Sequence, residues 1–351
     1  AYYVDFLGIS SKTQTEKTWY VSTTGSDTTG NGESGTPFRT IQKAWDAMPD
    51  LILHQQTIQI ADGTYSTNYI ASGDQPRPAI LWGKGKVTPF RSTLSSGVLT
   101  GAVVIKGNAA DRTAVKIQTG ASYTYGVYIN KGNIGLQDLT IESDGSNVAS
   151  SLLVAHRTDT YIHAENVIVD GIDVASTKYA NIGVVAESNG QIELANSCLV
   201  TNCVTPFVTL TDGDNITISG NSQITNCDNG GVVRYGLLKI ALTVAPSLNV
   251  IDNCPGGLSV VQGTIDIRGL NATDRAIVNC PITAEQASIN FVFADTEELV
   301  QLNDNSSVKY DSSNFQNQIQ AKSSTVWLRN SNSYTNAGSP NNDSTIPVAL
   351  L

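Results

Sequence analysis

The runs SCLVTNC (197–203), SQITNC (222–227), LNVIDNC (248–254) and RAIVNC (275–280) decide the fold. Each is a short strand-like run that ends in Asn-Cys, and the four Asn-Cys pairs are 24, 27 and 26 residues apart. A period of this length indicates one supersecondary unit repeated along an axis. Because the runs are strand-like, the spacing predicts a parallel β-solenoid. In such a stack, asparagines hydrogen-bond from coil to coil and cysteines fill the interior.

The composition limits the partners of the chain. Only 15% of its 351 residues are charged, below the roughly 25% of an average soluble domain. The net charge is −10 and the 21 Lys and Arg are scattered, so no nucleic acid is expected as a partner. No apolar run reaches the roughly 18 residues of a membrane span, so no membrane insertion is expected. Residues 1–20 lack the pattern of a signal peptide.

The five cysteines are predicted to be free and buried. Four occupy equivalent points of the repeat, whereas Cys198 stands apart. Stacked side chains run parallel to one another and do not give the torsion that a disulfide needs. Ligands about 25 residues apart along a stack do not form a tetrahedron, so neither a metal site nor another cofactor is expected.

The sequence divides into four parts. We expect a neck segment at 1–18, an N-terminal cap with the first coils at 19–100, the parallel β-helix at 101–302, and a Ser/Asn-rich C-terminal segment at 303–351. A helix is predicted in the cap, with Thr36 as its N-cap and Pro37 in its first turn. Ile41, Ala44, Trp45 and Met48 form its apolar face, which should cover the end of the solenoid.

The N-terminal region carries a family resemblance. WYVSTTGSD (19–27), TPFRTIQKAWDAM (36–48) and IQIADGTY (58–65) follow one another in that order. This order resembles the cap and first coil of the right-handed parallel β-helix superfamily, which includes pectate lyases and bacteriophage tailspikes. The resemblance covers residues 19–66, and the repeat pattern continues to about residue 300. It implies an all-β, right-handed, single-stranded parallel β-helix with an N-terminal capping helix and a polar C-terminal segment.

Within the superfamily, the Ser/Asn/Thr-rich coils and the polar tail look most like a bacteriophage tailspike or tail appendage. That resemblance implies a homotrimer in the virion tail, made in the host cytoplasm and working outside the cell. It also implies contact with other tail or virion proteins through the N-terminal segment.

Paired carboxylates are the candidate catalytic groups. Glycoside hydrolysis needs two carboxyl groups about 5–5.5 Å apart for retention or about 6.5–9.5 Å apart for inversion. Carboxylates two residues apart on a strand, or stacked on neighbouring coils, meet these distances. The preferred candidates are Glu142 and Asp144 with Asp170 and Asp173, where long loops leave the rod. The alternative is turn chemistry, because Asp-Gly is a common corner dipeptide and occurs at 144–145, 170–171 and 212–213.

Aromatic side chains are the candidate sugar-binding groups, since a sugar ring packs on an aromatic face. A regular strand would place Tyr123 and Tyr125 on one face and Tyr128 on the other. Arg234, beside Tyr235, is the basic group that a lyase could use. The predicted substrate-binding residues are Tyr123, Tyr125, Tyr161, Arg234 and Tyr235.

These features favour a tailspike-like receptor-binding protein that recognises host cell-surface polysaccharide. Catalysis stays open at this point. If the protein is an enzyme, we expect a polysaccharide depolymerase, and a glycoside hydrolase rather than a lyase. The alternative is a structural virion or surface β-helix protein without catalytic activity.

Overall fold

The structure is a computed structural model that describes residues 15–49, 52–66, 103–119, 125–130, 132–146, 148–158, 160–241, 250–269, 275–292, 295–296, 300–311, 319–321, 324–329 and 348–350. Within these ranges the chain is all-β apart from one helix, Ile41–Ala47. Successive coils pair through parallel strands, which confirms the predicted parallel β-solenoid.

Each coil passes in turn through three parallel ladders. The first ladder contains Lys17–Val21, Gln56–Ile60, Val103–Lys106, the first halves of Gly132–Ser143 and Thr160–Asp170, Gln191–Ala195, Asn215–Ser219, Leu237–Ala241, Thr264–Arg268, Ser288–Val292, Ser307–Asp311, Thr325–Arg329 and Val348–Leu350. The second contains Gly63–Ser66, Val115–Thr119, the second halves of the two long strands, Leu199–Thr201, Gln223–Thr225, Ile251–Asp252, Arg275–Val278 and Asp295–Thr296. The third contains Tyr125–Ile129, Ala149–His156, Ala180–Glu187, Thr205–Thr209, Gly231–Arg234, Leu258–Val261, Ile282–Glu285, Val300–Asn303 and Ile319–Ala321.

The interior is a stack of aliphatic side chains. In the first ladder Ile162 pairs with Ile192, which pairs with Ile216, and all three are buried. Burial of one such side chain stabilises the fold by about 1.5–3 kcal/mol. Successive side chains of a strand point to opposite faces, so the residues before and after each of these isoleucines point away from the core.

Three corners join the ladders, and each places residues in the left-handed conformation. The first corner joins the first and second ladders, and the second corner joins the second and third. The third corner joins the third ladder to the first ladder of the next coil. The second corner holds the Asn-Cys repeat, with positive φ at Asn202, Asn226, Asn253 and Asn279. Asparagine is among the few residues that tolerate this backbone.

The amide stack predicted at the second corner is confirmed from Asn202 to Asn253, whereas Asn279 Nδ2 donates to Asp252 Oδ1 over 3.2 Å. Asn226 Nδ2 donates to Asn202 Oδ1, and Asn253 Nδ2 donates to Asn226 Oδ1 over 3.4 Å. Asn202 Nδ2 in turn donates to Asp170 Oδ1 over 2.9 Å. Asp170 itself pairs with Thr201, the residue before Asn202.

The first corner carries a second stack of this kind, which the sequence analysis missed. Asp138, Asn166 and Asn196 all have positive φ, and Asn166 Nδ2 donates to Asp138 Oδ1 over 2.8 Å. The intervals between these residues are 28 and 30, but their identities are mixed. A repeat of one dipeptide is visible in a sequence, whereas an acid–amide stack with changing neighbours is not.

The five cysteines are free and buried, as predicted. The thiol of Cys203 donates to the carbonyl of Thr201, and Cys254 donates to that of Asp252. Burial raises the pKa of Cys198 to about 11. Thr201 pairs with Thr225, so register places Cys203 and Cys227 on neighbouring coils, and the contact between their thiols is the chief cause that raises the pKa of Cys227.

The helix begins later than predicted. Its N-cap is Thr40 rather than Thr36, and the Thr40 hydroxyl accepts the N–H of Lys43. Asp27 fixes this start, because its carboxylate accepts the N–H of Arg39 and of Thr40. The predicted apolar face, from Ile41 to Met48, is buried, and the helix contacts strands Lys17–Val21 and Gln56–Ile60.

Two further features concern the ends and the surface of the rod. Strands of the first ladder continue beyond residue 302, up to Val348–Leu350, into the Ser/Asn-rich segment. The hairpin of Asp173–Val174 with Thr177–Lys178 projects from the coils and is antiparallel. Across the described ranges, the structure contains no helix with the length and apolarity needed to cross a membrane.

Candidate functional site

The predicted carboxylates occupy the end of the second ladder. Glu142 and Asp170 pair directly on neighbouring coils. Glu142 is buried, its side chain being only 6% exposed. Its carboxylate lies 3.0 Å from the ammonium of Lys116 and accepts a hydrogen bond of 3.0 Å from Gln118. These contacts tie Glu142 to the preceding coil.

The other predicted carboxylates have the contacts of turn residues. Asp144 accepts the N–H of Ser146 over 2.9 Å, and Asp170 accepts the N–H of Ile172 over 2.8 Å. Asp173 is exposed at the base of the projecting hairpin. The turn alternative therefore accounts for the local contacts of Asp144 and Asp170.

The predicted tyrosines do not lie together in the structure. Tyr123 lies outside the described residues. Tyr125 and Tyr128 pack together, with ring centroids 5.0 Å apart. This corrects the expectation that the two point to opposite faces. Gly126 and Val127 are both buried, so the strand departs from alternation and turns both rings outward.

Gly126 makes this irregularity possible. A Cβ at this position would lie 2.7 Å from the carbonyl oxygen of Leu152 and 3.0 Å from the side chain of Ile141. Only glycine lets the backbone approach that closely. The sequence SYTYGVY thus presents two aromatic rings side by side because a glycine lies between them.

Next to these rings, an open groove of about 750 Å³ follows the third corner. The ring of Tyr128 lies 5.7 Å from that of His156, which lines the groove. Four successive coils contribute to the groove, and most of its side chains are polar. The lining residues are Asn130, His156, Arg157, Thr158, Ser188, Asn189, Thr211 and Asp212.

A buried carboxylate holds one wall of the groove. Asp214 is only 1% exposed, and it accepts the N–H groups of Leu210, Thr211 and Asn189 over 2.9, 2.6 and 2.7 Å. It therefore fixes the turns of two neighbouring coils. A groove whose backbone is held in this way needs little ordering when a ligand binds.

Two buried polar atoms of residues that line the groove lack a suitable hydrogen bond. Asn130 Oδ1 is buried and has no partner among the described residues. His156 Nδ1 lies 3.0 Å from Glu187 Oε1, but the geometry does not make a hydrogen bond. We regard this contact as an ion pair that forms when the imidazole is protonated.

Burial, followed by the charge of Glu187, raises the pKa of Tyr128 to about 12, so its hydroxyl stays a donor.

Tyr161 belongs to a separate cluster on the outer face of the first ladder. Its hydroxyl donates to Glu193 Oε2, which also lies 3.2 Å from Nδ1 of His163. The hydrogen bond from His163, then that from Tyr161, holds the pKa of Glu193 below its ordinary value. Because Glu193 already accepts these bonds and His163 is buried, the cluster serves the scaffold better than a ligand.

Arg234 and Tyr235 stand at the third corner, further along the rod. Both are exposed, and Tyr235 adopts a positive φ of 57°. Val233 pairs with Thr209 on the preceding coil, and Thr209 pairs with Ala186 one coil earlier. Arg234 follows Val233, and Glu187 follows Ala186. Register thus places Arg234 two coils beyond Glu187 on the same line.

Sequence reasoning missed most of the groove. Counted from Asn130, its other residues lie 26 to 82 positions further along the chain, and no local motif links them. They come together only because the third ladder stacks its ends in register. Over the residues that the structure covers, no group of three or more His, Cys, Asp or Glu is arranged to hold a metal ion.

The comparisons with known proteins add no assignment. Neither the protein-family models nor the curated proteins with which the sequence was compared give a match. The fold and the groove therefore define the chain as a parallel β-solenoid with a polar, aromatic-flanked groove along one corner.

Proposed function

We propose that the protein binds cell-surface polysaccharide in the groove at the third corner. The observation that carries this proposal is the combination of the Tyr125–Tyr128 pair with hydrogen-bonding side chains from four coils. Sugar rings pack on aromatic faces, and their hydroxyls need donors and acceptors.

The biological setting that fits this binding is a tailspike-like receptor-binding protein. It would be a right-handed β-helix whose N-terminal helix covers the end of the core. In this proposal the protein is a homotrimer of the virion tail, is made in the host cytoplasm, works outside the cell and contacts other tail proteins through its N-terminal segment. Support comes from the N-terminal resemblance and from the low content of charged residues, 15%.

Binding, rather than cleavage, is the activity that the contacts favour. Glu142 is occupied by Lys116 and Gln118, and Asp170 by a turn and by Asn202. A carboxylate that is committed to the scaffold is a poor general acid, because a catalytic acid has to reach the glycosidic oxygen. A structural virion protein without a ligand is the second candidate, and the same experiment tests it.

The test is a binding assay with a panel of purified bacterial capsular polysaccharides and O-polysaccharides, using isothermal titration calorimetry. We expect at least one polysaccharide to bind. Replacement of both tyrosines beside the groove, Tyr125→Ser with Tyr128→Ser, should weaken that binding at least about tenfold, since two ring contacts are lost. The matched control is Tyr20→Ser, a partly buried tyrosine of the first strand.

Reducing ends are measured in the same mixtures. Their appearance would establish cleavage and would return Glu142, Asp144, Asp170 and Asp173 to consideration as catalytic groups. A folded protein that binds none of the polysaccharides would overturn the proposal in favour of the structural alternative. Equal affinity of the tyrosine double variant and the wild type would refute the groove as the binding site.

A further inference from the structure

We infer that the binding surface continues from the groove along the third corner to Tyr235, so that the ligand is a linear polymer lying parallel to the solenoid axis. This inference rests on the proposed function, because it extends the same site. It assigns Tyr235 as a second aromatic platform, separate from the Tyr125–Tyr128 pair.

Register places one position of each coil in a column at the third corner, with Arg157, Ser188, Thr211 and Tyr235 on successive coils. A left-handed φ between 50° and 78° recurs in this column at Arg157, Ser188, Tyr235, Gln262 and Gln286, whereas Thr211 is not left-handed. The same backbone bond recurs at this corner: Arg157 donates its N–H to Glu187, and Tyr235 donates its own to Val261. A repeated conformation in register aims successive side chains in one direction.

A side-chain contact continues the column beyond Tyr235. Gln262 Nε2 donates to Gln286 Oε1 over 2.6 Å, from one coil to the next. Arg157 and Ser188, earlier in the same column, line the groove. The groove and Tyr235 are therefore parts of one strip that runs along the rod.

Tyr235 has the exposure of a binding residue. Its side chain is 47% exposed. Its left-handed backbone is uncommon for a bulky residue, and its N–H is satisfied by the carbonyl of Val261 over 3.1 Å. The exposed guanidinium of Arg234 precedes it and can donate hydrogen bonds to sugar hydroxyls.

The separation of the two platforms sets the kind of ligand. Tyr128, in the first platform, and the coil that carries Tyr235 are four coils apart by register. At about 4.8 Å for each coil, this is roughly 19 Å along the axis. One sugar ring cannot touch both platforms, whereas a chain of several sugars can. Affinity should therefore rise with the length of the oligosaccharide until the chain reaches Tyr235.

The experiment uses fragments of the capsular and O-polysaccharide panel, made by partial acid hydrolysis and separated by size. Affinities of the full-length protein are measured for each size, with Tyr235→Asn, Tyr235→Phe and Tyr20→Ser as variants. Asparagine suits the left-handed backbone and lacks the ring, so the fold is kept. Thermal unfolding of each variant confirms this.

We expect Tyr235→Asn to weaken the binding of long fragments about threefold to tenfold, which is the range of one aromatic contact. Short fragments should bind the variant and the wild type equally, and Tyr235→Phe should bind like the wild type. Loss of affinity for short and long fragments alike, or for neither, would overturn the inference while leaving the groove in place. If no fragment of any size binds, both the inference and the proposed function fail.

Discussion

Replacement of Gly231 by alanine should be among the most damaging single-methyl changes in this solenoid. Gly231 has a φ of 120°, and a Cβ there would lie 2.3 Å from the ring of Phe207, with two further ring atoms within 2.6 Å. Phe207 is fully buried on the preceding coil, so its ring cannot move into solvent. The ring occupies the space that the missing side chain leaves.

Two costs add up in Gly231→Ala. Forcing a methyl group into a packed core costs about 1–3 kcal/mol. Holding a non-glycine residue in a left-handed conformation costs about 1–2 kcal/mol. The free energy of unfolding should therefore fall by about 2–5 kcal/mol, measured by urea denaturation followed by circular dichroism. The matched control is Gly35→Ala, where a Cβ would meet no atom within 4 Å, and we expect less than about 1 kcal/mol of change there.

A double-mutant cycle separates the two costs. Phe207→Leu removes the ring edge and should itself destabilise by a cavity cost, but it should relieve the clash with Ala at position 231. The double variant should then be more stable than the sum of the single changes by about 1–2 kcal/mol. Additivity within about 0.5 kcal/mol would refute the argument, because it would mean that the ring does not exclude the methyl group.

Two other predictions concern the polar contacts of the rod. Asn226→Ala should lower the free energy of unfolding by about 2 kcal/mol, since two amide hydrogen bonds are lost and alanine tolerates the left-handed backbone poorly; an unchanged denaturation midpoint would contradict this. Glu193→Gln tests the depressed pKa of Glu193. Because that folded-state pKa is lowered, the contribution of the carboxylate is complete above its unfolded pKa and is lost as the pH falls through the folded value. The stability difference between wild type and Glu193→Gln should therefore be present at neutral pH and disappear in acid, and a difference independent of pH would count against the cluster.

The repeat was readable in the sequence because one dipeptide marks one corner of each coil. Asn226 needs a positive φ and a coil-to-coil hydrogen bond, and asparagine serves both. Its cysteine neighbour is small and buried. Local requirements of this kind leave a local signature, which is why the architecture and the free thiols could be predicted.

The helix start and the tyrosine pair could not be read in the same way. Thr36 precedes a proline and looked like a cap, but Asp27, thirteen residues before Thr40, binds the backbone at the true start. Tyr125 and Tyr128 share a face because Gly126 approaches the next coil, a contact with Leu152 that depends on register. Both features are set by residues that are distant in sequence, so no window along the chain contains their cause.

The placement of the groove follows from what each corner contributes to the fold. The first and second corners carry stacks such as Asn166 on Asp138 and Asn226 on Asn202, so substitution there breaks coil-to-coil bonds. The third corner has two such bonds among the side chains described, Gln262 to Gln286 beyond the groove and Asn189 to Thr158 over 3.4 Å within it. No single residue type repeats there from coil to coil, so the side chains of this corner differ along the rod. A solenoid can therefore alter the third corner to suit a ligand without weakening its own stacking, which is the physical reason to look for binding there.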